Sequence, residues 1–512
     1  MLHTLWRYQA AILILLGPAL LGHVQCAFAQ YTHLSDTRNS TNVPTLNNAP
    51  LAQSPIKVDG RLEPLLDDYL IGRLEGVELR LHQPTEREVV ITHDLPWEGN
   101  TSGYHTVFHD GEKFRMYYRG MHWDENSRSE PHKEVTCYAE SSDGITWRKP
   151  KLGLVEFQGS KANNIVWDGV GAHCFAPFLD KNPSCDSAEK YKAVAAGPGG
   201  LYTFKSPDGL RWSLRADKPV ITEGAFDSQN LAFWDSARGQ YLEFHRGFRD
   251  KVRDIMTGSS QDFQNWSKPE WLEYLGAPTE HLYTNQITPY PRAPHILVGF
   301  PMRFVEQRRT PHDKHHGGVS DGILMTSRDG RTFRRWTEAI IRPGLQTDRW
   351  VNRNNMTAWG ILETNSTEAN RPNELSIYST EGYYRGPATR LRRFAWRLDG
   401  IVSANASMRG GQLITRPLTL ARPQQKTVEL LLNVSTSAAG SVRCEITNVE
   451  NVPLAGFSLS DCDELFGDEI GCKVTWKGKS DLTALIGQPL RLRFELHDAD
   501  LYALRFSGLS NK

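Results

Sequence analysis

A short hairpin motif recurs along the chain and constrains its fold more than any other feature. SSDGITW at residues 141–147 is followed by SPDGLRW at 206–212, and SSQDFQNW at 259–266 and SRDGRTFRRW at 327–336 repeat the pattern more loosely. The tryptophans that end the four copies are 65, 54 and 70 residues apart. Self-similarity at such intervals predicts repeated supersecondary units of the kind that build propellers.

The chemistry of the motif points to a structural role. An Asp-Gly pair favours a tight turn, because the carboxylate accepts hydrogen bonds from nearby backbone amides and glycine tolerates a positive φ. The serine and the tryptophan then fasten the hairpin, with the ring packed between neighbouring sheets. The functional alternative is a calcium-binding loop, which a single carboxylate per loop disfavours because calcium prefers several oxygen ligands.

Short strands joined by further turns surround each motif. YHTVFHDGEKFRMYYRG at 104–120, for example, reads as a strand, an Asp-Gly turn and a second strand. Counting these units predicts five antiparallel blades, and we expect the segment before Glu98, which includes VELRLHQP, to supply an outer strand that closes the ring. The predicted blades lie near residues 100–155, 163–220, 225–275, 283–340 and 354–395.

After RLDGIVSANAS the pattern changes to evenly spaced short strands, which predict a β-sandwich over residues 401–512. The predicted fold class is therefore all-β, a five-bladed β-propeller over residues 56–400 followed by a β-sandwich.

The N-terminal residues predict export. Arg7, the apolar run AAILILLGPALLG and the small residues AFA before residue 30 form a signal-peptide pattern over 1–29, and 30–55 reads as a linker. No later segment approaches the run of about 20 apolar residues that a membrane span requires. We therefore expect a periplasmic or extracellular protein.

Charge and cysteine content exclude other classes. The 59 basic and 59 acidic residues balance, which removes the electrostatic case for nucleic acid. No C-x-x-C pair or metal-ligand cluster is present, so we expect neither a metal nor a cofactor. Cys174 could pair with Cys185, and Cys462 with Cys472; buried free thiols fit the sequence equally well.

The blade layout locates a candidate pocket. Residues just before the innermost strand of each blade line one mouth of the central channel, and in this chain each such segment carries polar or ionisable side chains. The five segments are 96–105, 169–178, 224–234, 278–287 and 350–360.

Three carboxylates in these segments are candidate catalytic groups, because two carboxyl groups can supply a general acid and a base or nucleophile. We assign Glu280 as general acid, Glu98 or Asp227 as base or nucleophile, and the remaining carboxylate as stabiliser. For each, the alternative is a capped turn or a surface charge. The candidate substrate-binding residues are His173, Gln229, Asn230, Tyr283, Asn285, Arg353 and Asn355. The aromatic residues of these segments could serve as sugar platforms or as inter-blade core: Trp97, Tyr104, Trp234, Tyr283, Trp350 and Trp359.

The predicted architecture, the S-x-D-G hairpins, the junction RLDGIVS and the C-terminal run GQPLRLRFELHDADLYALRF together resemble the invertase/levanase superfamily, meaning glycoside hydrolase families 32, 43 and relatives. The resemblance implies hydrolysis of an oligo- or polysaccharide at the propeller funnel. The Asn-Asp-Pro-Asn, Arg-Asp-Pro and Glu-Cys motifs of family 32 are absent, so sucrose or fructan is not implied, and Asp254 does not inherit the stabilising role.

Two alternatives remain. The first is a non-catalytic carbohydrate-binding or scaffold protein on the same fold. The second is a sialidase, in which three arginines clamp a carboxylate beside a tyrosine nucleophile. Arg119, Arg246 and Arg353 could supply those arginines, but sialidases typically have six blades, and the five blades and neutral charge predicted here count against that interpretation.

Overall fold

The computed structural model describes residues 54–311 and 317–510. The predicted signal peptide and nearly all of the predicted linker lie outside these ranges. The described chain is all-β apart from three 3-10 turns, and none of its helical segments is long and apolar enough to cross a membrane. The 3-10 turns are Ser187–Glu189, Thr347–Trp350 and Thr483–Leu485.

Five strands precede the first predicted blade. They are β1 (Ile56–Val58), β2 (Glu63–Pro64), β3 (Ile71–Glu75), β4 (Val77–Leu81) and β5 (Thr85–Thr92).

Three antiparallel four-stranded sheets follow in chain order. The first contains β6 (Gly103–His109), β7 (Phe114–Gly120), β8 (Val135–Ser141) and β9 (Ile165–Trp167). The second contains β10 (Ala176–Leu179), β11 (Tyr191–Gly197), β12 (Gly200–Ser206) and β13 (Ser213–Leu214). The third contains β14 (Leu231–Asp235), β15 (Gln240–Arg249), β16 (Val252–Ser260) and β17 (Glu270–Trp271).

The next sheet is larger and has seven strands. They are β18 (Glu273–Leu275), β19 (His281–Leu282), β20 (Thr288–Tyr290), β21 (Ala293–Gly299), β22 (Met302–Val305), β23 (Val319–Ser327) and β24 (Thr332–Ile341). A fourth four-stranded sheet contains β25 (Leu362–Thr364), β26 (Glu374–Glu381) and β27 (Arg390–Arg397), and β5 completes it.

The sheets form a β-propeller arrangement, with a correction to the predicted blade count. Four sheets have the regular four-stranded form, whereas the sheet built around the predicted fourth blade has seven strands, two of which, β18 and β19, precede residue 283. The difference arises because the short strands β18, β19 and β22 add to the sheet, β18 in parallel with β24 and β22 beside β23. The structure therefore does not give five like blades.

The outer strand that closes the ring comes from the segment before Glu98, from the residues that follow VELRLHQP. β5 pairs antiparallel with β27, joining Thr92 to Arg390 and Ile91 to Leu391. VELRLHQP instead contributes β4, which pairs with a strand from beyond residue 400.

The remaining strands lie in a ten-stranded sheet. They are β28 (Val402–Ala406), β29 (Gly411–Thr415), β30 (Leu418–Leu420), β31 (Glu429–Thr447), β32 (Asp468–Lys473) and β33 (Pro489–Ser507). β1 to β4 belong to the same sheet, and the strands are connected through β33. A separate β-sandwich of residues 401–512 is therefore not confirmed, since residues 56–81 pair with the C-terminal strands.

The Asp-Gly turns have the predicted structural geometry. In the first copy, Asp143 Oδ1 accepts hydrogen bonds from the backbone N–H groups of Ile145 and Thr146 at 2.8 and 2.7 Å. The ring of Trp147 meets Tyr378 of the last propeller sheet edge-on, with the ring centroids 6.2 Å apart. Asp208, Asp262 and Asp329 each accept from two backbone N–H groups at 2.7–2.9 Å in the same way. Each turn thus fastens one sheet locally, and in the first copy Trp147 reaches the neighbouring sheet.

Candidate functional site

The segments before the inner strands meet around the propeller axis, held by two buried glutamines. Gln229 donates to the carbonyl oxygens of Tyr104 and His105 at 3.1 and 3.2 Å, and it accepts from Gln286 at 2.6 Å. Gln286 also donates to the carbonyl of Thr357 at 3.0 Å. Gln229, predicted to bind substrate, therefore joins segments of the propeller.

Six side chains from these and neighbouring segments gather at this mouth, and we call them the arginine–tyrosine cluster. Tyr104 and Tyr283 form its centre, with their hydroxyl oxygens 2.9 Å apart. Both rings are nearly fully buried. The members of the cluster are Tyr104, Arg119, Arg246, Tyr283, Arg353 and Tyr383.

The three guanidinium groups stack on the central rings. The Arg119 guanidinium lies 4.8 Å from the ring centroid of Tyr104. Those of Arg246 and Arg353 lie 5.2 and 5.5 Å from the centroid of Tyr283. The rings attract the cations through their quadrupoles, so the three positive charges are held close together.

Tyr383 has an unusual electrostatic environment. Its hydroxyl accepts from Arg119 and, at 3.3 Å, from Arg353. Burial raises the pKa of Tyr383, but the charges of the two guanidinium groups outweigh burial and hold this pKa below its ordinary value. The two guanidinium groups therefore stabilise the ionised form of the Tyr383 hydroxyl.

A Glu–His pair borders the cluster. His173 Nδ1 and Glu134 Oε1 are 2.7 Å apart, and Arg119 Nη1 lies 3.3 Å from the same carboxylate oxygen. Burial, together with the charges of Arg119 and Arg353, lowers the pKa of His173 despite the carboxylate. His173, a predicted binding residue, thus lies at the mouth, 5.4 Å centroid to centroid from Tyr104.

Of the three predicted catalytic carboxylates, Asp227 alone contacts the cluster. It forms an ion pair with Arg246, and its side chain is 78% exposed. Its backbone carbonyl accepts from the Tyr283 hydroxyl at 3.5 Å.

Glu98 belongs to a buried network apart from the cluster. Its carboxylate accepts from Tyr118 Oη at 2.6 Å, from Lys149 Nζ at 2.6 Å and from the backbone N–H of Leu95 at 3.1 Å. Burial would raise the pKa of Glu98, but the neighbouring His93 and the charge of Lys149 lower it to about 2. A carboxylate that is buried and already paired in this way stabilises the fold.

Glu280 is also paired elsewhere, 3.1 Å from Arg303 and 3.3 Å from Arg335. Among the described residues, Glu98, Asp227 and Glu280 share no side-chain partner, so the structure does not bring the predicted catalytic carboxylates together.

The predicted amide ligands are buried and bonded to protein groups. Asn230 donates to the carbonyls of Phe226 and Ser228, and Asn285 donates to the carbonyl of Phe244. Asn355 accepts from Arg349 Nε at 2.8 Å. These side chains shape the segments, because loop backbone that is buried needs hydrogen-bond partners.

Most predicted aromatic platforms lie elsewhere. Trp97 donates to Asn164, Trp350 to the carbonyl of Gly344 and Trp359 to that of Ile287. Trp234 and Trp359 line a cavity of about 510 Å³ at the far ends of the inner strands. Of the six aromatic residues, Tyr104 and Tyr283 are members of the cluster.

Backbone strain concentrates at the same mouth. Tyr104 has a φ of 53° and Arg353 a φ of 66°, in the left-handed region that non-glycine residues rarely adopt. Gln286, Asn355 and Tyr384, also at the mouth, have φ between 46° and 62°. Strain of this kind persists where the surrounding structure enforces it, and it clusters at functional sites.

Sequence reasoning missed Glu134 and Tyr383 and used Arg119 and Arg246 only in the sialidase alternative. A usable signal was present, because both arginines stand in an Arg-Gly pair near the mouth end of a second strand, in YYRG at 117–120 and FHRG at 244–247. Tyr383 lies in the turn after β26, outside the segments considered.

Comparisons with known proteins return glycoside hydrolases among solved structures. No family model and no curated protein matches the chain. BT0996, in a complex with RGII, matches with a TM-score of 0.42 and 14% identity, over 61% of this protein and 92% of BT0996.

Two fructofuranosidases match over more of the chain. That of Schwanniomyces occidentalis complexed with fructosylnystose has a TM-score of 0.37 and 9% identity, over 90% of this chain and 100% of that enzyme. The family 32 β-fructofuranosidase of Bombyx mori has a TM-score of 0.38 and 11% identity, over 84% and 94%.

Proposed function

We propose that the chain is an exported glycoside hydrolase that cleaves an oligo- or polysaccharide at the arginine–tyrosine cluster. The observation that carries the proposal is the Tyr383 hydroxyl held between Arg119 and Arg353 at the mouth where the inner-strand segments meet. A phenol whose pKa is lowered by two cations is an activated nucleophile.

The reaction requires a nucleophile and a proton carrier. The ionised Tyr383 Oη forms a bond to the anomeric carbon as the bond from that carbon to the leaving glycosidic oxygen breaks, and Asp227, protonated for this step, donates its proton to that oxygen. Water then displaces the tyrosyl oxygen from the sugar, and Asp227 takes the proton of the water. Of the three carboxylates assigned from the sequence, this proposal keeps Asp227, because Glu98 and Glu280 are paired away from the cluster.

The architecture that we propose around this site is the predicted one. The seven-stranded sheet serves as the fourth of five blades, which the bonds from Gln286 to Gln229 and to Thr357 support. The strands from β28 to β33 pack into a sandwich together with residues 56–81. This sandwich supports the propeller. Their shared apolar core, which includes Leu70, Leu432 and Phe494, supports this arrangement.

The test is hydrolysis by the purified full chain on a panel of plant, algal and host polysaccharides, with released reducing ends as the readout. We expect release from at least one substrate and a loss of about 10²–10⁴-fold in kcat in Tyr383→Phe. Tyr202→Phe is the matched control, since that hydroxyl bonds only to the carbonyl of Pro198 at an exposed site. Full activity in Tyr383→Phe would remove Tyr383 from the mechanism.

The separation of the three carboxylates favours a second candidate, a non-catalytic carbohydrate-binding protein on the same fold. It predicts retention on affinity gels with no release of reducing ends from any substrate. The same panel therefore separates the two candidates.

A further inference from the structure

We propose that a second group of side chains at the mouth binds the sugar residue on the leaving-group side of the substrate. We call this group the Phe248 rim, and its members are Phe248, Arg253, His281 and Glu306. The inference rests on the proposed function for the direction of the substrate. It adds the substrate's chemical class, an oligosaccharide whose leaving residue is a neutral pyranose with adjacent free hydroxyls.

A tight hairpin presents Phe248 at the rim. β15 and β16 are joined by two residues, Asp250 and Lys251, whose φ values are 52° and 66°. Positive φ at both central residues matches the turn to the twist of the strands, so the end of the hairpin is well defined. Phe248 pairs directly with Arg253 across this hairpin and is 50% exposed. The hairpin therefore holds an open aromatic side chain in a fixed place.

Arg246 connects Phe248 to the arginine–tyrosine cluster. Its guanidinium lies 5.2 Å from the ring centroid of Tyr283 and 5.4 Å from that of Phe248. Asp227, the proposed proton carrier, pairs with the same guanidinium, whereas Tyr383 bonds to the other two guanidinium groups of the cluster. A nucleophile displaces its leaving group from the opposite side of the anomeric carbon, so the leaving residue extends toward Asp227 and Phe248.

The polar groups beside Phe248 are spaced to hold hydroxyl groups. Arg253 Nη1 and His281 Nε2 each lie 3.9 Å from a carboxylate oxygen of Glu306. That separation is too long for a direct hydrogen bond, but a hydroxyl between the two groups can donate to the carboxylate and accept from the nitrogen. The Glu306 side chain is 52% exposed, and its carboxylate accepts no hydrogen bond within residues 54–311 and 317–510. Two adjacent hydroxyls of one sugar can therefore bind here.

The orientation of His281 is fixed by the hairpin. Its Nδ1 accepts from the backbone N–H of Arg253 at 3.2 Å, so Nε2 carries the proton of the neutral ring. Burial and the charge of Arg253 lower the pKa of His281, which favours that neutral form. The same hydrogen bond links the third propeller sheet to the seven-stranded sheet. The rim is thus arranged before a substrate arrives.

An aromatic surface beside uncommitted hydrogen-bonding groups fits a neutral sugar. The C–H groups of a pyranose carry small positive charges and pack on the negative face of an aromatic ring, while its hydroxyls need donors and acceptors nearby. The opposite charges of Arg253 and Glu306 balance, which favours a residue without charge. An aromatic leaving group would stack on Phe248 but leave these polar groups unfilled, and a methyl group would use neither feature.

The experiment measures binding by calorimetry to the full chain, with neutral trisaccharides and single-residue counterparts. The probes are cellotriose, laminaritriose, mannotriose and galactotriose, and the counterparts are the methyl glycosides of glucose, mannose and galactose. The titrations use the Tyr383→Phe background so that hydrolysis does not consume the probe. The unmodified chain is assayed in parallel for released reducing ends. We expect at least one trisaccharide to bind about tenfold or more tightly than its counterpart.

Three variants locate this preference. Phe248→Ala should bring it to near unity, whereas Phe248→Trp, which keeps an aromatic face, should retain it. Glu306→Ala should weaken trisaccharide binding about fivefold, since it removes a hydrogen-bond acceptor. Phe466→Ala, at an exposed phenylalanine just before β32, is the matched control and should bind as the parent does. Melting curves verify folding, and Glu306→Ala decides the question if Phe248→Ala does not fold.

A trisaccharide preference that survives Phe248→Ala would overturn the inference, and so would the absence of any such preference. Hydrolysis at the same kcat/KM in the unmodified chain and in Phe248→Ala would overturn it while leaving the proposed function intact. A preference that depends on Phe248, without release of reducing ends, would support the neutral-sugar site while contradicting the hydrolase.

Discussion

The Asp-Gly turns and the mouth of the propeller represent two ways in which a sequence specifies structure. In the turn at Asp143, the carboxylate bonds to backbone groups only two and three residues away. At the mouth, Gln229 bonds to residues 125 and 124 positions earlier, and Arg119 bonds to Tyr383, 264 positions later. The turns recur along the chain and depend on neighbouring residues. The mouth occurs once and is assembled from segments of the whole ring.

The comparison teaches where the sequence is informative. The geometry of a repeated local motif can be predicted from the residues of the motif. For a site assembled from distant segments, the sequence predicts only the location.

Glu98→Gln tests a residue that the sequence placed at the mouth and the structure places in a buried network. The variant leaves Lys149 without its main anionic partner, and we expect a loss of about 4 kcal/mol in the free energy of unfolding, measured with urea. Activity per folded molecule should not change. Glu75→Gln, in an exposed pair with Arg73, is the control and should cost at most about 0.5 kcal/mol. A loss of activity at unchanged stability would instead support the catalytic role that the sequence predicted for Glu98.

Acid unfolding tests the same network through its titration. The pKa of Glu98 is about 2 in the folded chain against an ordinary value of 4.5. Because the folded pKa is lowered, the stabilisation is fully present above the unfolded pKa and is lost as the pH falls through the folded one. The shift corresponds to about 3 kcal/mol, which should disappear between about pH 5 and pH 2. This part of the pH dependence should be missing from Glu98→Gln; an identical acid profile would refute it.

Asp227→Asn tests the mouth itself. The substitution removes the proposed proton carrier from an exposed position, so we expect kcat to fall by about 10²-fold. The variant also leaves the buried Arg246 without its carboxylate partner, so stability is measured by urea unfolding and kcat is compared per folded molecule. Asp217→Asn, at another exposed aspartate, should leave both quantities unchanged. An unchanged kcat in Asp227→Asn would show that Asp227 is not the proton carrier.

Asp143→Ala tests the local region. The variant removes the acceptor of two backbone N–H groups, and we expect a loss of about 1 kcal/mol by thermal unfolding with no change in kcat. Asp143→Asn keeps one side-chain oxygen and should recover most of that loss. A fall in kcat at unchanged stability would show that the turn serves the site.

Much of the propeller could be predicted because its signals are local. Alternation and Asp-Gly turns identified most strands of the sheets, and the blade layout identified segments that do meet at the axis. The extra strands of the seven-stranded sheet could not be predicted, since β18, β19 and β22 have only two to four residues each and depend on their neighbours.

The contacts of the predicted site residues could not be predicted. His173, Tyr283 and Arg353 lie beside or within the arginine–tyrosine cluster, whereas Glu98 contacts Lys149 and Glu280 contacts Arg303. The direction of a loop side chain depends on partners distant in sequence, which spacing does not encode. For the same reason the spacing could not predict the pairing of β4 with β28, which lies more than 300 residues away.

The pairing of β5 with β27 governs how the chain can acquire its structure during synthesis. The ring cannot close until residues 390–397 have left the ribosome, because they supply the partner of residues 85–92. Until then the edges of the sheets are open to wrong partners. A pairing so distant in sequence also slows folding, since a long loop must close before the contact forms. The nascent chain therefore stays incomplete over most of its translation, a state in which a chaperone can hold it and a translocation channel can accept it.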